Sequence, residues 1–192
     1  VNGGSFFNVN DAILTTGKIG MTGDEIEIAV RGGHIEIGEK GFDASGTRYM
    51  DVLSQTMVIN GVLSGGKRLQ VRTGGLNYTV KTAELVEVDV DNQVVTGIAI
   101  DGTEVGALIA GQISIVSTEA GAGVNTQSTI YATAGTLEIS SEGDLTIANT
   151  FSTEKTQIQA AGDIRTAGEQ LSETELKTPA LISTIPLETY SS

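Results

Sequence analysis

Short alternations of apolar and polar residues, each begun by a glycine, dominate residues 111–168. The phrase is Gly, any residue, an aliphatic residue, any residue, and usually a second aliphatic residue. Copies begin at Gly111, Gly135 and Gly143, and a degraded copy begins at Gly162. Side chains of a strand alternate between two faces, so each copy predicts a short strand with one apolar face that starts after a glycine turn.

The strands recur with a period of about 20 residues. Leu145 and Ile164 are 19 positions apart, and Leu137 and Ile158 are 21 positions apart. One such turn cannot bury its apolar row alone, so the period favours strands stacked on themselves as a parallel β-helix, a solenoid. A β-sandwich built from short strands is the competing interpretation.

Alternation continues outside this stretch and predicts an all-β chain. Residues 24–38 alternate cleanly, and three further strands are expected around residues 52–59, 69–72 and 76–80. Residues 82–102 lack the glycine-led phrase and carry Val86, Val88 and Val90 between acidic residues. We predict an antiparallel hairpin there, off the main coil, with its turn at Asp91 and Asn92.

The two ends of the chain differ from the middle. Phe6 and Phe7 must face opposite sides if residues 1–17 are extended, and a β-helix that begins there would expose an unpaired strand edge. Residues 1–168 are therefore assigned to the β-helical segment. Residues 169–192 are assigned to a tail, because they contain both prolines and no glycine. Ser172 and Glu175 fit a capping box for a short helix, and the residues after it are expected to be extended. Three placements of this extended part stay open: along the coil, over its last turn, or as a disordered linker.

Composition and charge exclude several functions. The chain has 192 residues, 25 Gly, 2 Pro, no Cys and a net charge of −13. Nucleic-acid affinity depends on basic residues meeting phosphates, and anionic membranes attract basic surfaces, so neither partner is expected. No apolar run approaches the roughly 20 residues of a membrane-spanning helix, so stable membrane insertion is not expected either.

Candidate chemistry is sparse, and no catalytic residue or cofactor is assigned. His34, the one histidine, is most simply a solvent-facing strand residue. Asp43 and Ser45 lack a nucleophile elbow and are expected to hydrogen-bond turn backbone. The acidic row Glu87, Asp89 and Asp91 is a weak candidate for Ca²⁺, but its spacing lacks a loop that folds around an ion.

Three passages together resemble the secretion domain of two-partner-secretion exoproteins, the family of filamentous hemagglutinins, related haemolysins and contact-dependent growth-inhibition proteins. The passages are GSFFNVNDAILTTG at residues 4–17, residues 35–80 with GFDASGTRYMD and SQTMVINGVLSGG, and AIDGTEVGALIAGQISIVSTEAGAGVN at residues 99–125. The resemblance implies a right-handed parallel β-helix with off-axis β elements. It also marks the following residues as positions that shape turns: Asp43, Ala44, Ser45, Asn60, Thr118, Glu119 and Gly121.

The resemblance further implies a non-enzymatic function in export. The unfolded domain is expected to meet the periplasmic modules of a cognate outer-membrane β-barrel transporter and to fold outside a Gram-negative-type cell. The family's upstream Asn-Pro-Asn motifs are absent here, so a missing N-terminal segment of the same domain is a second expected partner. Self-association through open strand edges is a third.

Two other functions remain open from the sequence. One is an adhesive or structural β-helix that binds a host or neighbouring-cell ligand. The other is a carbohydrate-active enzyme, for which only Glu87, Asp89 and Asp91 offer a carboxylate cluster and aromatic residues are scarce.

Overall fold

The computed structural model describes residues 1–88 and 97–184. Within these residues the chain forms strands and no helix, so no helix there could cross a membrane. In chain order the strands are β1 (Asp11–Thr15), β2 (Lys18–Thr22), β3 (Glu25–Val30), β4 (His34–Ile37), β5 (Phe42–Ala44), β6 (Tyr49–Ser54), β7 (Thr56–Ile59), β8 (Val62–Gly65), β9 (Arg68–Thr73), β10 (Leu76–Thr79), β11 (Glu84–Glu87), β12 (Gly97–Gly102), β13 (Ala107–Ala110), β14 (Gln112–Ser117), β15 (Ala122–Thr126), β16 (Thr129–Ala132), β17 (Leu137–Ser141), β18 (Leu145–Ile147), β19 (Thr150–Ala160), β20 (Ile164–Thr166), β21 (Gln170–Lys177) and β22 (Ile182–Thr184).

Most strands stack in parallel on three faces of one solenoid. Face A contains β1, β6, β9, β14, β17 and the second half of β19. Face B contains β5, β8, β13, β16 and the first half of β19. Face C contains β4, β7, β12, β15, β18, β20 and β22. Each turn visits faces C, B and A in that order, and about six turns are complete. The predicted parallel β-helix is therefore confirmed, and the β-sandwich is excluded.

The glycine-led phrases form the strands that the sequence predicts, with one difference in register. Leu145 pairs with Ile164, as expected. Leu137 pairs with Thr156, and Ile158 pairs with Ile139, so the spacing on face A is 19 residues rather than 21. The 21-residue spacing was wrong because Thr156 occupies an inward position that the sequence pattern reserves for an aliphatic residue.

Aliphatic side chains in register form the core. On face A one inward column is fully or almost fully buried and consists of Val52, Val71, Ile115, Ile139 and Ile158. Each side chain packs on its neighbour in the next turn, so burial requires adjacent turns. Phe6 also packs against this core, edge-on to Phe42, whereas Phe7 is 84% exposed. The two phenylalanines face opposite sides, as predicted.

A second, antiparallel sheet lies off the solenoid axis, in the order β11-β10-β3-β2. It packs on the outside of face A through a small separate core. That core consists of Ile28, Val30, Leu53, Leu76 and Tyr78, of which Leu53 comes from the solenoid strand β6. Two excursions of the chain, residues 16–33 and 74–88, supply the sheet.

The predicted antiparallel element off the main coil is confirmed, but its strands are not the predicted pair: in the described part of residues 82–102, β11 and β12 do not form a hairpin. Strand β11 pairs antiparallel with β10, whereas β12 lies on face C between β7 and β15. The reason is burial: Ala99 and Ile100 are fully buried in the solenoid, and a hairpin off the axis would expose them. The predicted turn at Asp91 and Asn92 lies outside the described residues.

In the described part of the C-terminal segment, the extended placement along the coil is confirmed, whereas the short helix predicted at Ser172 is wrong. Residues 170–177 form β21, which pairs in parallel with β19, and no helix begins at Ser172. The segment alternates between half-buried and exposed positions, and the open edge of β19 offers it backbone partners. Strand β22 then adds to face C through β20. The solenoid thus continues past the boundary placed at residue 168.

Candidate functional site

The Asp43-Ala44-Ser45 motif shapes the turn between faces B and A. Ser45 donates its backbone N–H to Asp43 Oδ1 (2.9 Å), and hydrogen bonds from the Ser45 hydroxyl and backbone hold the pKa of Asp43 below its usual value. Ala44 is fully buried, and its carbonyl accepts from both the backbone and the hydroxyl of Thr47. These contacts are those of a turn.

Asn60 ties the first full turn to the second. Its side-chain amide donates to Glu36 Oε1 (3.0 Å), and its backbone N–H donates to the Ile37 carbonyl (2.8 Å). His34, on the same strand as Glu36, is exposed and lies 2.9 Å from the Thr56 hydroxyl through Nδ1. The structure therefore places His34 on a solvent-facing ladder.

The motif around Glu119 joins three turns at the corner after face A. Glu119 Oε1 accepts hydrogen bonds from the Gly75 backbone (3.1 Å) and from the side-chain amide of Gln55. Thr118 donates its hydroxyl to the Thr73 carbonyl (3.2 Å). Gly121 has a φ of 77°, a left-handed conformation that favours glycine.

Glu87 and Glu119 line one small polar cleft of about 160 Å³. Asp89 and Asp91, the other weak metal candidates, lie outside the described residues. Within residues 1–88 and 97–184, no three acidic, histidine or cysteine side chains come together in a way that could hold a metal ion. The motif positions thus lie at separate corners of the solenoid. Among them, Glu119 lies beside Glu87, which is one of the weak Ca²⁺ candidates.

A buried polar cluster fixes the off-axis sheet on face A. The Tyr78 hydroxyl donates to Asp51 Oδ2 (2.7 Å), and Arg68 Nη2 lies 3.6 Å from Asp51 Oδ1. Tyr78 and Asp51 are each 5% exposed. Burial, followed by the hydrogen bond to Asp51, raises the pKa of Tyr78 above its usual range. The cluster was missed from the sequence, although the lone Asp51 between Met50 and Val52 was a signal of it.

We expect Tyr78→Phe to lower the free energy of unfolding by about 1 to 3 kcal/mol at neutral pH, because the buried Asp51 carboxylate loses the hydrogen bond from the Tyr78 hydroxyl. The phenol holds its proton more tightly in the folded state than in the unfolded state, where its pKa is about 10. Its contribution is therefore complete below about pH 10 and is lost as the pH rises further. Urea unfolding at a series of alkaline pH values measures this loss.

The exposed Tyr131 provides the control for this prediction. Tyr131→Phe should leave both the neutral stability and the alkaline profile close to those of the wild type. An alkaline profile that is the same in Tyr78→Phe as in the wild type would show that the cluster does not anchor the sheet.

The first turn presents open strand edges beside an apolar surface. Among the described strands, β1 pairs with β6 alone and β2 pairs with β3 alone. Ile19 and Met21 on β2 and Ile26 on β3 share the face that buries Ile28, yet they are 65%, 73% and 45% exposed. We call the edges of β1 and β2 with these three side chains the N-terminal edge surface. Free backbone groups beside apolar side chains can accept an added strand.

Comparison with known proteins shows what this architecture is similar to. A family model described as the TPS secretion domain matches residues 1–147. The chain is 29% identical over 154 residues to filamentous hemagglutinin of Bordetella pertussis (strain Tohama I). This alignment covers 77% of the chain and 4% of that protein. It is 30% identical over 149 residues to the tRNA nuclease CdiA-2 of Burkholderia pseudomallei (strain 1026b). This alignment covers 77% of the chain and 5% of that protein.

A solved structure agrees with the sequence comparison. A crystal structure of a filamentous hemagglutinin secretion domain superimposes with a TM-score of 0.69 at 23% identity, over 94% of this chain and 61% of that chain. At this identity the likeness shows the fold. The chain spans about a twentieth of the curated relatives, so the activities in their names concern proteins much longer than this domain.

Proposed function

Because the chain belongs to the TPS secretion domain family, we propose that it directs the export of a large exoprotein through a cognate outer-membrane transporter. Exoproteins with this domain are secreted by Gram-negative bacteria, and the domain is a secretion module rather than a known enzyme. The finer proposal has two parts. The periplasmic modules of the transporter recognise the unfolded chain, and the chain then folds into its solenoid outside the cell.

The alternating strands support recognition through backbone pairing. An extended segment that adds to the edge of a receptor sheet gains main-chain hydrogen bonds, and alternate side chains fill pockets. Residues 26–37 carry such an alternation in β3 and β4. In the folded chain β3 is enclosed between β2 and β10, whereas β4 lies at the end of face C. Recognition of β3 therefore requires the chain before it folds.

The solenoid supports folding after export. Each turn buries its aliphatic column against the preceding turn, so successive turns can add to those already outside. The chain contains no Cys, so no disulfide loop would obstruct its passage. The N-terminal edge surface is the proposed contact for an N-terminal segment of the domain, and it is also where two copies of the chain could associate.

The observation that carries the proposal is the family match over residues 1–147. The test is binding of the chain, held unfolded in urea and then diluted, to the immobilised periplasmic modules of a candidate cognate transporter. We expect the unfolded chain to be retained and the folded chain to be retained much less. A synthetic peptide of residues 26–37 should compete, and a peptide of the same composition in scrambled order should not.

Equal retention of the folded and unfolded chains would overturn recognition before folding. Retention of neither would overturn the proposed partner. Competition by the scrambled peptide would show that charge or composition, rather than the strand pattern, produces the binding.

A further inference from the structure

Two of the few aromatic side chains lie next to each other on the outside of face B. The chain has four Phe, four Tyr and no Trp. Tyr131 and Phe151 are register partners on β16 and β19, and their ring centroids are 6.3 Å apart at an interplanar angle of 50°. Leu171 follows Phe151 in register on β21. Tyr131 is 41% exposed and Leu171 is 59% exposed, so this column is a surface feature rather than part of the core.

A polar column runs beside the aromatic one, and a groove of about 260 Å³ lies between them. Its residues precede the aromatic column by two positions in each turn and are Thr129, Asn149 and Glu169. Asn149 Oδ1 accepts the backbone N–H of Glu169 (3.0 Å), which leaves the Asn149 Nδ2 group as a donor. One wall of the groove is thus apolar, and the other offers a hydroxyl, an amide and a carboxylate.

The polar wall is held in place by the turn behind it. The Gln170 side chain donates to the Ala148 carbonyl (2.6 Å) and accepts from the Thr150 hydroxyl. Gly168 packs so closely that a side-chain carbon there would lie 2.5 Å from Asn149 Oδ1 and 2.8 Å from the carbonyl carbon of Ala148. A ligand would therefore meet a wall that is already ordered, which lowers the entropic cost of binding.

The chemistry of the two walls defines the ligand. A pyranose ring has faces covered by C–H groups and an edge of hydroxyls, so its face can lie on the electron-rich faces of aromatic rings while its hydroxyls bond to the polar wall. The turns are about 4.8 Å apart, which is close to the length of one sugar unit, so a chain of sugars can follow the groove along the solenoid axis. The net charge of −13 and the carboxylate of Glu169 disfavour anionic ligands.

From these features we propose that the groove between the Tyr131-Phe151-Leu171 column and the Thr129-Asn149-Glu169 column binds neutral oligosaccharides. The aromatic rings supply the stacking surface, and the Asn149 amide with the Thr129 hydroxyl fixes the orientation of the sugar hydroxyls. This activity is separate from export, since the groove lies on face B and the N-terminal edge surface lies on β1 and β2.

The test is a glycan array with neutral, sialylated and sulfated oligosaccharides, probed with the folded chain, followed by calorimetric titration of the best neutral glycan. We expect selective retention by neutral glycans. Tyr131→Ala and Phe151→Ala should each weaken the affinity about tenfold, as the loss of one aromatic contact implies. Phe7→Ala is the matched control. Phe7 is an exposed aromatic residue that precedes β1, whereas the groove is formed by later turns, at residues 129–171. It should bind as the wild type does.

Three results would overturn the proposal. They are no neutral glycan retained above the blank, unchanged affinity in the Tyr131→Ala/Phe151→Ala double variant, and sedimentation in which the wild type is a dimer and the double variant is a monomer, because the column would then be an interface between two copies. Thermal melting of each variant verifies that it is folded. The double variant should still be retained, when unfolded, by the periplasmic transporter modules, so failure of this proposal is distinguishable from failure of the export function.

Discussion

Gly66→Ala is expected to destabilise the solenoid by at least about 3 kcal/mol, because the added methyl group has no space. Gly66 lies at the corner between β8 and β9, directly above the corresponding corner of the preceding turn. A side-chain carbon there would overlap the backbone carbonyl oxygen of Thr47. Thr47 is itself buried and held by two hydrogen bonds to the Ala44 carbonyl, so the obstacle cannot move without opening the turn below.

Gly20→Ala is the matched control for this prediction. The substitution is the same, but Gly20 lies on the edge strand β2 and a side-chain carbon there meets nothing within 4 Å. Its effect should stay within about 1 kcal/mol and is expected to be favourable, since alanine restricts the unfolded chain. Urea unfolding followed by circular dichroism measures both variants. Equal midpoints for Gly66→Ala and the wild type would contradict the close stacking of the corners.

The sequence was sufficient to predict the parallel stacking because that information is local and repeated. Each glycine-led phrase predicts both a turn and the inward face of the strand that follows it. The phrases at Gly111, Gly135, Gly143 and Gly162 all lead into solenoid strands. The spacing of those phrases then fixes the length of a turn. Agreement among several independent copies is what made the prediction strong.

The off-axis sheet could not be predicted because its pairing is not local. Strands β3 and β10 are separated by three strands of the first turn and three of the second, yet they are neighbours in the sheet. An alternating segment such as residues 84–87 shows that it is a strand but not which strand it pairs with. The next alternating segment along the chain is the simplest partner to predict, but its described part, residues 97–102, is β12 on face C.

The candidate sites show the same limit. The Asp51–Tyr78 hydrogen bond joins residues 27 positions apart across two sheets. The oligosaccharide groove depends on the register of three turns, which places Tyr131 beside Phe151 and Asn149 beside Glu169. In the sequence these residues are scattered single side chains. The register between turns must be known before such residues, one from each turn, can be recognised as a continuous wall.

The middle of the solenoid depends on continuous aliphatic contacts from turn to turn. Ile115 is fully buried on β14 and pairs in register with Val71 below it and Ile139 above it. Each turn contacts its immediate neighbours, so a gap in this column separates the turns before it from the turns after it. The column is therefore the place where one missing side chain should affect cooperativity as well as stability.

Ile115→Ala is expected to cost about 2 to 5 kcal/mol, because it removes buried methyl groups and leaves a cavity that the stacked strands cannot close. Since total stabilities of domains are about 5 to 15 kcal/mol, the variant should unfold at much lower urea, and its transition should broaden as the two halves unfold separately. Val116→Ala on the same strand is the control: its side chain is half-buried and outward, and its cost should be about 1 kcal/mol or less. A sharp transition in Ile115→Ala with an unchanged midpoint would show that the column does not couple the turns.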